Sequence, residues 1–585
     1  MSLFKFTHHK LFVAMAATSL VAMPLMLGLG SSSNAAAGPK PSGQWLSGDF
    51  HQHTYYTDGS TTFDFVMQKS DEFGLDWWAN SEHGGERNRD GTGTFWDVRS
   101  PPVTILGAYE LSGGYREMWR WQSLRDFAFD DLLRNRDLYP DRRIFSGLEW
   151  NVPGHEHCST GVVAKDASAI SAFEYQFDNS DDDFTDDIMD DPAMMPYGPL
   201  TKQNGKIEFV QNATLVGSTG KPFPKRHADA VKGCAWMEDL YDRALVDNAW
   251  IVFAHIERDG AWTATEGGGY NVEHFRDFNN AAPDVCFGFE GAPGHQVNED
   301  RGFGNEVTCA GDVCTSDDFG GTYGGVGYYT AKVGGLWDAL LGEGRRWFNY
   351  ASSDYHRHYT AGGDDFYPGE YQRTWVKAVD ADGDGDYSLD EIADGMRSGN
   401  AYFVHGDLIN YLEFEAQNGK QKVDMGGELT TKGAIKNLKL KIKFKSPAKN
   451  NCKVDGSYIS SCAKPKVNHI DLIAGEITGK VAPDDANYTN ATNPTAKVIA
   501  SFSSNKKGYN TIVYHIKDIN KNMYFRLRGT NLACNTADET GPTTTLPSAD
   551  YCKPLADALV QSIDGAQEAW NDLWFYSNPI FVYVE

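Results

Sequence analysis

The segment GDFHQHTYYTDGS, residues 48–60, sets His51 and His53 one residue apart, with Asp58 following. Alternate side chains of an extended chain share a face, so an HxH pair at a strand end can present both imidazoles to one point. Alone the pair is a weak signal, because two such rings can equally be surface groups or hydrogen-bonded core. Its weight comes from how the other strand-like runs finish. LDWWANSEH ends in His83, RIFSGLEW carries Glu149, GHEHCSTGVV offers His155 and His157, AWIVFAHI carries His255, and RWFNYASSDYH carries Asp354 and His356. These are borderline-hard nitrogen and oxygen donors suited to Zn, Mn or Fe. Packing alone explains them poorly, since each ionisable group would otherwise need its own buried partner. The chemistry expected of such a cluster is hydrolysis, because neighbouring divalent ions lower the pKa of a shared water and polarise an ester oxygen. No serine or cysteine nucleophile is required, and Cys158 reads as a small apolar strand residue.

The elements that must position these donors alternate. Strand-like runs at 75–83, 143–150, 249–256 and 346–356 are separated by helical stretches such as TTFDFVMQKSDEFG and KVGGLWDALLGEG, which predicts an α/β domain over 45–408. In a barrel of parallel strands the C-terminal strand ends converge on one face, so residues distant in sequence meet there. Two insertions interrupt the pattern, at 84–142 and 166–232, and the acidic run DNSDDDFTDDIMDD in the second reads as a solvated loop. Beyond residue 410 the character changes. NLKLKIKFKS alternates apolar residues with Lys, and HIDLIAG, KVIASF, NTIVYHIKDI, MYFRLRG and NPIFVYVE follow, which predicts a C-terminal β-sandwich over 411–585 that serves packing or substrate presentation.

HxHxxxxDG, then SEH closing a second strand, then a G-x-E strand, then AH ending another, then SDxH, resembles the PHP (polymerase and histidinol phosphatase) superfamily. The resemblance covers roughly residues 45–408. It implies a distorted PHP-type (β/α)7 barrel over 38–410, followed by the β domain, as in secreted members that also include carbamate-ester hydrolases. It implies that His51, His53, Glu149 and Asp354 hold a first metal, that Glu149 bridges to a second held with His157 and His255, and that Asp58, His83 and His356 hold a third. His157 is preferred to His155 because it abuts the strand as the family's motif does. The usual T-D-H is S-E-H here, with Glu82, while A-H-P is Ala254-His255-Ile256 and S-D-G is Thr57-Asp58-Gly59; no ligand is lost. Amidohydrolases also open with HxH, but they use a carboxylated Lys, absent from the Glu149 strand, and a lone late Asp.

The expected function is an exported phosphoesterase that hydrolyses a small-molecule phosphate ester with hydroxide held between two or three ions. The alternatives are a carboxyl or carbamate ester hydrolase with the same centre and a non-catalytic metal- or ligand-binding protein. An anionic substrate needs cations at the mouth, for which Arg258, Arg301 and Arg357 are candidates. His295 and His358 are candidate proton donors to the leaving group, alongside the ligands His51, His53, Glu149, His255 and Asp354 as catalytic groups. His227 and His274 read as structural. Separately, DADGDGDYSLDE at 380–391 places Asp380, Asp382, Asp384, Asp386, Ser388 and Glu391 at calcium-loop positions with Gly385 at the turn. RTWVKAV before it reads as a strand, so a lone structural calcium site is expected rather than a switch.

The whole chain bounds these readings. With 585 residues there is room for two or three domains. Residues 1–37 carry Lys5 and Lys10, an apolar run and three alanines, the layout of a signal peptide, which predicts a periplasmic or secreted protein. No cysteine near that junction suggests a lipid anchor, and no later run reaches the roughly 18 apolar residues of a membrane span. Export lets Cys309/Cys314, Cys452/Cys462 and Cys534/Cys552 pair locally, leaving Cys158, Cys234 and Cys286. A net charge of -27 argues against a nucleic-acid partner and fits bound divalent cations.

Overall fold

Seven strands carry the apolar runs of the first half of the chain: β1 (Gln44–Asp49), β2 (Trp77–Asn80), β3 (Arg143–Asn151), β4 (His157–Val163), β5 (Asn248–Phe253), β6 (Cys286–Ala292) and β7 (Phe348–Ala351). The structure is a computed structural model that describes residues 43–198, 200, 226–258, 260–262, 268–297, 307–310, 313–316, 326–452, 464–503, 508–532 and 565–585. The signal segment 1–37, Arg301, and the Cys534 and Cys552 pair lie outside those residues, as does Cys462, while Cys452 is disulfide-bonded. Cys309 and Cys314 face each other across a two-stranded ladder. Cys158, Cys234 and Cys286 are buried free thiols.

The strands neighbour one another in the order β7-β6-β5-β4-β3-β2-β1. β1, β2 and β3 are mutually parallel, as are β5, β6 and β7. β4 runs antiparallel to both β3 and β5, so one unit is a hairpin where a uniformly parallel barrel would have a helical crossover. That reversal is why His157, at the start of β4, lies at the C-terminal ends of its neighbours. β1 and β7 share no ladder, but their extensions meet: Gln52 and Tyr355 form a parallel bridge, the His53 N–H donates to the Tyr355 carbonyl at 2.8 Å, and the Ser353 N–H donates to Asp49 Oδ2 at 3.0 Å.

The helices cover the outside of this sheet. α1 (Phe63–Glu72) starts where Thr62 accepts the Phe65 N–H, and it buries Phe63, Val66, Met67 and Ser70 at helical spacing. α2 (Phe129–Leu138), α3 (Ser168–Phe177), α4 (His227–Asp242), α5 (Val272–Ala281) and α6 (Leu336–Gly342) follow. The core between helices and sheet is rich in fully buried tryptophan, including Trp77, Trp150, Trp250, Trp337 and Trp347.

The acidic run of the second insertion is only partly the solvated loop that its composition predicts. Asp178, Asp181 and Asp183 are buried. Asp178 Oδ2 accepts the Asn151 N–H at 2.9 Å, and Asp183 accepts the Ala108 N–H at 2.9 Å and the Trp121 indole N–H at 3.1 Å. Short carboxylates here satisfy backbone donors of the other insertion and of β3.

β8 (Gln372–Ala378) pairs antiparallel with the outer edge of β1, and α7 (Leu389–Ser398) and β9 (Ala401–His405) follow. The same sheet continues past residue 410: β9 pairs with a strand at Trp574–Ser577, which pairs with Met523–Thr530 and onward to His469–Glu476 and Lys497–Ser503. A second sheet contains Tyr411–Asn418, Ile435–Lys445 and Asn510–Ile519. In Ile435–Lys445 the alternation places Leu438, Leu440, Ile442 and Phe444 inward, against a shared core with Ile470, Leu472, Phe525 and Leu527. Residues 42–585 form one compact unit, with the sheet running across position 410.

Candidate metal centre

Most donors of the centre sit at or just past the C-terminal ends of the parallel strands; His157 opens the antiparallel β4, and Asp58 lies on the turn beyond β1. His51 and His53 follow β1, with the His51 N–H held by Asp49 Oδ1 at 3.1 Å. Gly59 permits the turn that returns Asp58, since a Cβ there would lie 2.5 Å from the His53 carbonyl carbon. His83 bridges to Glu149, and the Glu149 N–H donates to the Glu82 carbonyl at 2.9 Å. His255, Asp354 and His295 have φ of 50°, 44° and 55°. Left-handed backbone at non-glycine residues costs of order 1–3 kcal/mol each and persists only where the surroundings enforce it. Three such positions at one strand-end face turn these side chains inward.

Glu149 and Asp354 stand at the middle. His51 Nε2 lies 3.2 Å from Glu149 Oε1 and 3.1 Å from Asp354 Oδ1. His53 Nε2 lies 3.1 Å from Glu149 Oε2 and 3.2 Å from Asp354 Oδ1. His83 Nδ1 and His157 Nδ1 approach the two Glu149 oxygens at 3.0 and 2.8 Å, and His255 Nε2 approaches Asp354 Oδ2 at 3.1 Å. On the far side Asp58 takes His53 Nδ1 at 3.3 Å, His83 Nε2 at 3.2 Å and His356 Nε2 at 3.4 Å.

Despite these approaches, His51 Nε2, His53 Nε2, His83 Nδ1, His157 Nδ1 and both oxygens of Glu149 and Asp354 make no hydrogen bond of acceptable angle, and all are buried. Buried polar atoms are almost always satisfied, and leaving so many without a partner is costly. Their separations match the edges of a ligand shell, because donors about 2.1 Å from a common ion lie roughly 3.0–3.4 Å apart. The donor set therefore fits divalent ions. Among the groups of donor atoms that gather closely are His51, His53, Glu149 and Asp354; His83, Glu149 and His157; His53, Asp58, His83 and His356; and His295, His356 and Asp365. His83 thus faces Glu149 as well as Asp58, and His255 faces Asp354 more closely than Glu149.

The electrostatics agree. Burial alone would strip the proton from His51, but Asp354, Glu149 and Glu290 hold its pKa well above the ordinary value. His83 is opposed by burial in the same way, yet Glu149 and Asp58 raise it to about 9. Glu149 and Asp354, which burial pushes upward, are held well below the usual carboxylate range by the surrounding imidazoles. A divalent cation does for these carboxylates what the ring protons do, and its binding displaces those protons.

The other expected site residues are scattered. His295 belongs to the centre: Nε2 lies 2.9 Å from Asp354 Oδ2 and Nδ1 lies 2.7 Å from Asp365 Oδ1. His358 does not. Its Nε2 meets Glu370 at 2.9 Å, its Nδ1 meets Thr360 Oγ1 at 2.7 Å, and its ring stacks on Tyr367, so a side chain read as a proton donor is a buried packing group. Arg258 Nη2 is paired with Glu156 at 2.7 Å, and Arg357 is exposed. In the 380–391 loop, which follows β8 as expected, Asp380 accepts the N–H groups of Gly383 and Gly385, Asp386 pairs with Arg143, and Ser388 caps α7 by accepting the Glu391 N–H while the Glu391 carboxylate accepts the Ser388 N–H.

Glu290, Asp49 and Asp365 support the centre and were not singled out in the sequence. Glu290 takes His51 Nδ1 at 3.1 Å and accepts the hydroxyls of Ser159 and Ser352 at 2.7 and 2.6 Å. Its signal was a carboxylate inside the apolar run CFGFEGA, the same signal that marks Glu149. Burial raises the Asp49 pKa to about 7.

No family model matches the chain, and no curated protein matches it in sequence. Among solved structures it is similar to a two-domain protein from Bacteroides vulgatus described as containing a PHP-like metal-dependent phosphoesterase, at 11% identity and a TM-score of 0.31, over 85% of this chain and 94% of that one. It is also similar to a protein from Bifidobacterium adolescentis described as a metal-dependent phosphoesterase, at 11% identity and a TM-score of 0.26, over 60% of this chain and 95% of that one. Likeness at this level carries no argument about chemistry, which rests on the chain's own donor set.

Proposed function

We propose that the protein is an exported metal-dependent hydrolase of the PHP type that cleaves a small-molecule phosphate ester. The observation that supports this is the set of buried, unpartnered imidazole and carboxylate atoms around Glu149 and Asp354. Two or three divalent ions of the Zn, Mn or Fe class, when bound, would supply Lewis acidity and a water acidic enough to ionise near neutrality. His51, His53, Glu149, Asp354, His83, His157, His255, Asp58 and His356 would hold them. Glu290 fixes the His51 ring, and Asp365 fixes His295. Against its burial, Asp365 and Asp354 raise the His295 pKa, the direction that a proton donor to a departing alkoxide requires. The 380–391 loop we assign to a lone calcium ion with a structural role.

One observation favours the second reading, a carboxyl or carbamate ester. Arg258, whose charge interacts with Asp354 and Glu149, is already paired with Glu156, so it offers a dianionic phosphate little free positive charge. A panel of chromogenic phosphate mono- and diesters beside carboxyl esters, assayed after chelation and after return of Mn, Zn or Fe, separates the two. Hydrolysis of phosphate esters that vanishes on chelation supports the first reading; carboxyl-ester turnover alone selects the second. Turnover indifferent to chelation refutes both.

A further inference from the structure

We propose that His155, His227 and His274 form a second metal site, separate from the strand-end centre and of the zinc class. The three residues come from different elements: the turn between β3 and β4, the first residue of α4, and the first turn of α5. Their ring centroids lie 5.0, 4.5 and 4.5 Å apart, and one nitrogen from each falls within 4.8 Å of the others.

Hydrogen bonding orients two of the rings. His155 Nδ1 lies 3.0 Å from the Gly269 carbonyl, which can only accept, so Nδ1 carries the proton and Nε2 of the neutral ring is a lone pair. His227 Nε2 lies 3.2 Å from the Asp277 carboxylate, so by the same argument His227 Nδ1 is a lone pair. With both rings neutral these nitrogens would set lone pair against lone pair at 2.8 Å, so the metal-free cluster holds one shared proton there. A zinc ion would replace that proton and move the two nitrogens apart to the roughly 3.0–3.4 Å of ligands on one ion. A shared proton needs two rings, yet a third, His274, is brought to the same point and walled by Trp262 at 4.9 Å. Three convergent imidazoles, one oriented by a backbone carbonyl and one by a carboxylate, are the ligand and support pattern of a histidine zinc site. Asp277 is itself fixed by the Tyr488 hydroxyl at 2.6 Å. His274 Nδ1 accepts the Asn271 N–H at 3.0 Å, so loading requires this one ring to release that cap and carry its proton on Nδ1 instead. The site shares no donor with the strand-end centre. The His155 ring stacks on Tyr270, whose hydroxyl donates to the Glu156 and His157 carbonyls, so a metal here would brace the start of β4.

The test is zinc content after equilibrium dialysis of the full chain against micromolar Zn²⁺, in a background with Asp58→Ala, Glu149→Ala, Asp354→Ala and His356→Ala, which breaks every strand-end donor group. That background is expected to retain one equivalent, which His227→Gln removes and Asp277→Asn weakens by roughly 10- to 100-fold, with circular dichroism reporting that the fold persists. Cobalt in the same background should give the visible absorption of a four-coordinate ion, lost in His227→Gln. Retention of no zinc by the folded background, or retention indifferent to His227→Gln, overturns the site. Failure of the proposed hydrolase reads out separately, as strand-end substitutions that leave the zinc content of the otherwise wild-type chain unchanged.

Discussion

The strand-end centre and the 380–391 loop are both rich in carboxylates at ligand-like spacing, and they differ in what those carboxylates already do. The oxygens of Glu149 and Asp354 and the facing nitrogens of His51, His53, His83 and His157 are buried and lack hydrogen-bond partners, while Asp58 at the outer edge is exposed. In the loop Asp382, Asp384 and Asp386 are exposed, Asp380 and Glu391 are half-buried, and most accept nearby backbone N–H groups: Asp380 from Gly383 and Gly385, Asp382 from Asp384, Asp384 from Asp386. Water satisfies an exposed carboxylate at no cost, so its presence says little. A buried donor without a partner has no such refuge and demands a cation.

The sharpest way to break that contrast is at its centre. Asp354→Asn removes the charge that five imidazoles face, and bound divalent metal and hydrolysis should both fall by more than the roughly 100-fold that an orienting group is worth. Elemental analysis with an activity assay checks it, and full metal content in the folded variant would contradict the assignment. Glu290→Gln leaves every proposed ligand in place but weakens the hold on His51 Nδ1. Metal affinity should drop by roughly 10- to 100-fold, with hydrolysis recoverable at high metal concentration.

At the loop, Asp382→Ala should abolish calcium uptake in isothermal titration and leave ester hydrolysis unchanged. The rise in melting temperature with calcium, worth about 2.7 kcal/mol at a hundredfold excess over Kd, should vanish with it. Calcium uptake unaffected by the substitution would mean the loop is an ordinary solvated turn. The smallest effect concerns Glu238 on α4, whose pKa burial raises to about 7. The folded chain keeps this proton between about pH 4.5 and 7 where the unfolded chain releases it, so stability is full below that window and lost as pH rises through it. Glu238→Gln should flatten this part of the stability profile, measured by urea denaturation at pH 5 and 8.

Much of the centre was legible because its residues end apolar runs, where an ionisable side chain is conspicuous. Glu149 in GLEW and His255 in VFAHI stand out for that reason, and Glu290 in CFGFEGA carries the same mark. His358 misled because proximity in sequence to Asp354 says nothing of direction, and the chain turns it onto Glu370 and Tyr367. The histidines at 155, 227 and 274 were illegible as a group, since no strand period relates them.

The sequence by itself determined that the runs at 75–83, 143–150, 249–256 and 346–356 hold strands with donors at their ends, and where a calcium-type loop follows β8, because periodicity and residue chemistry are local properties; it left β6 unread. Only the tertiary structure decided that β4 runs backwards, which brings His157 to the common face. It also decided which oxygen each ring approaches, and that three histidines from separate elements meet. Those outcomes depend on pairing direction and on backbone turns such as φ of 44° at Asp354, which are fixed by packing among residues hundreds of positions apart.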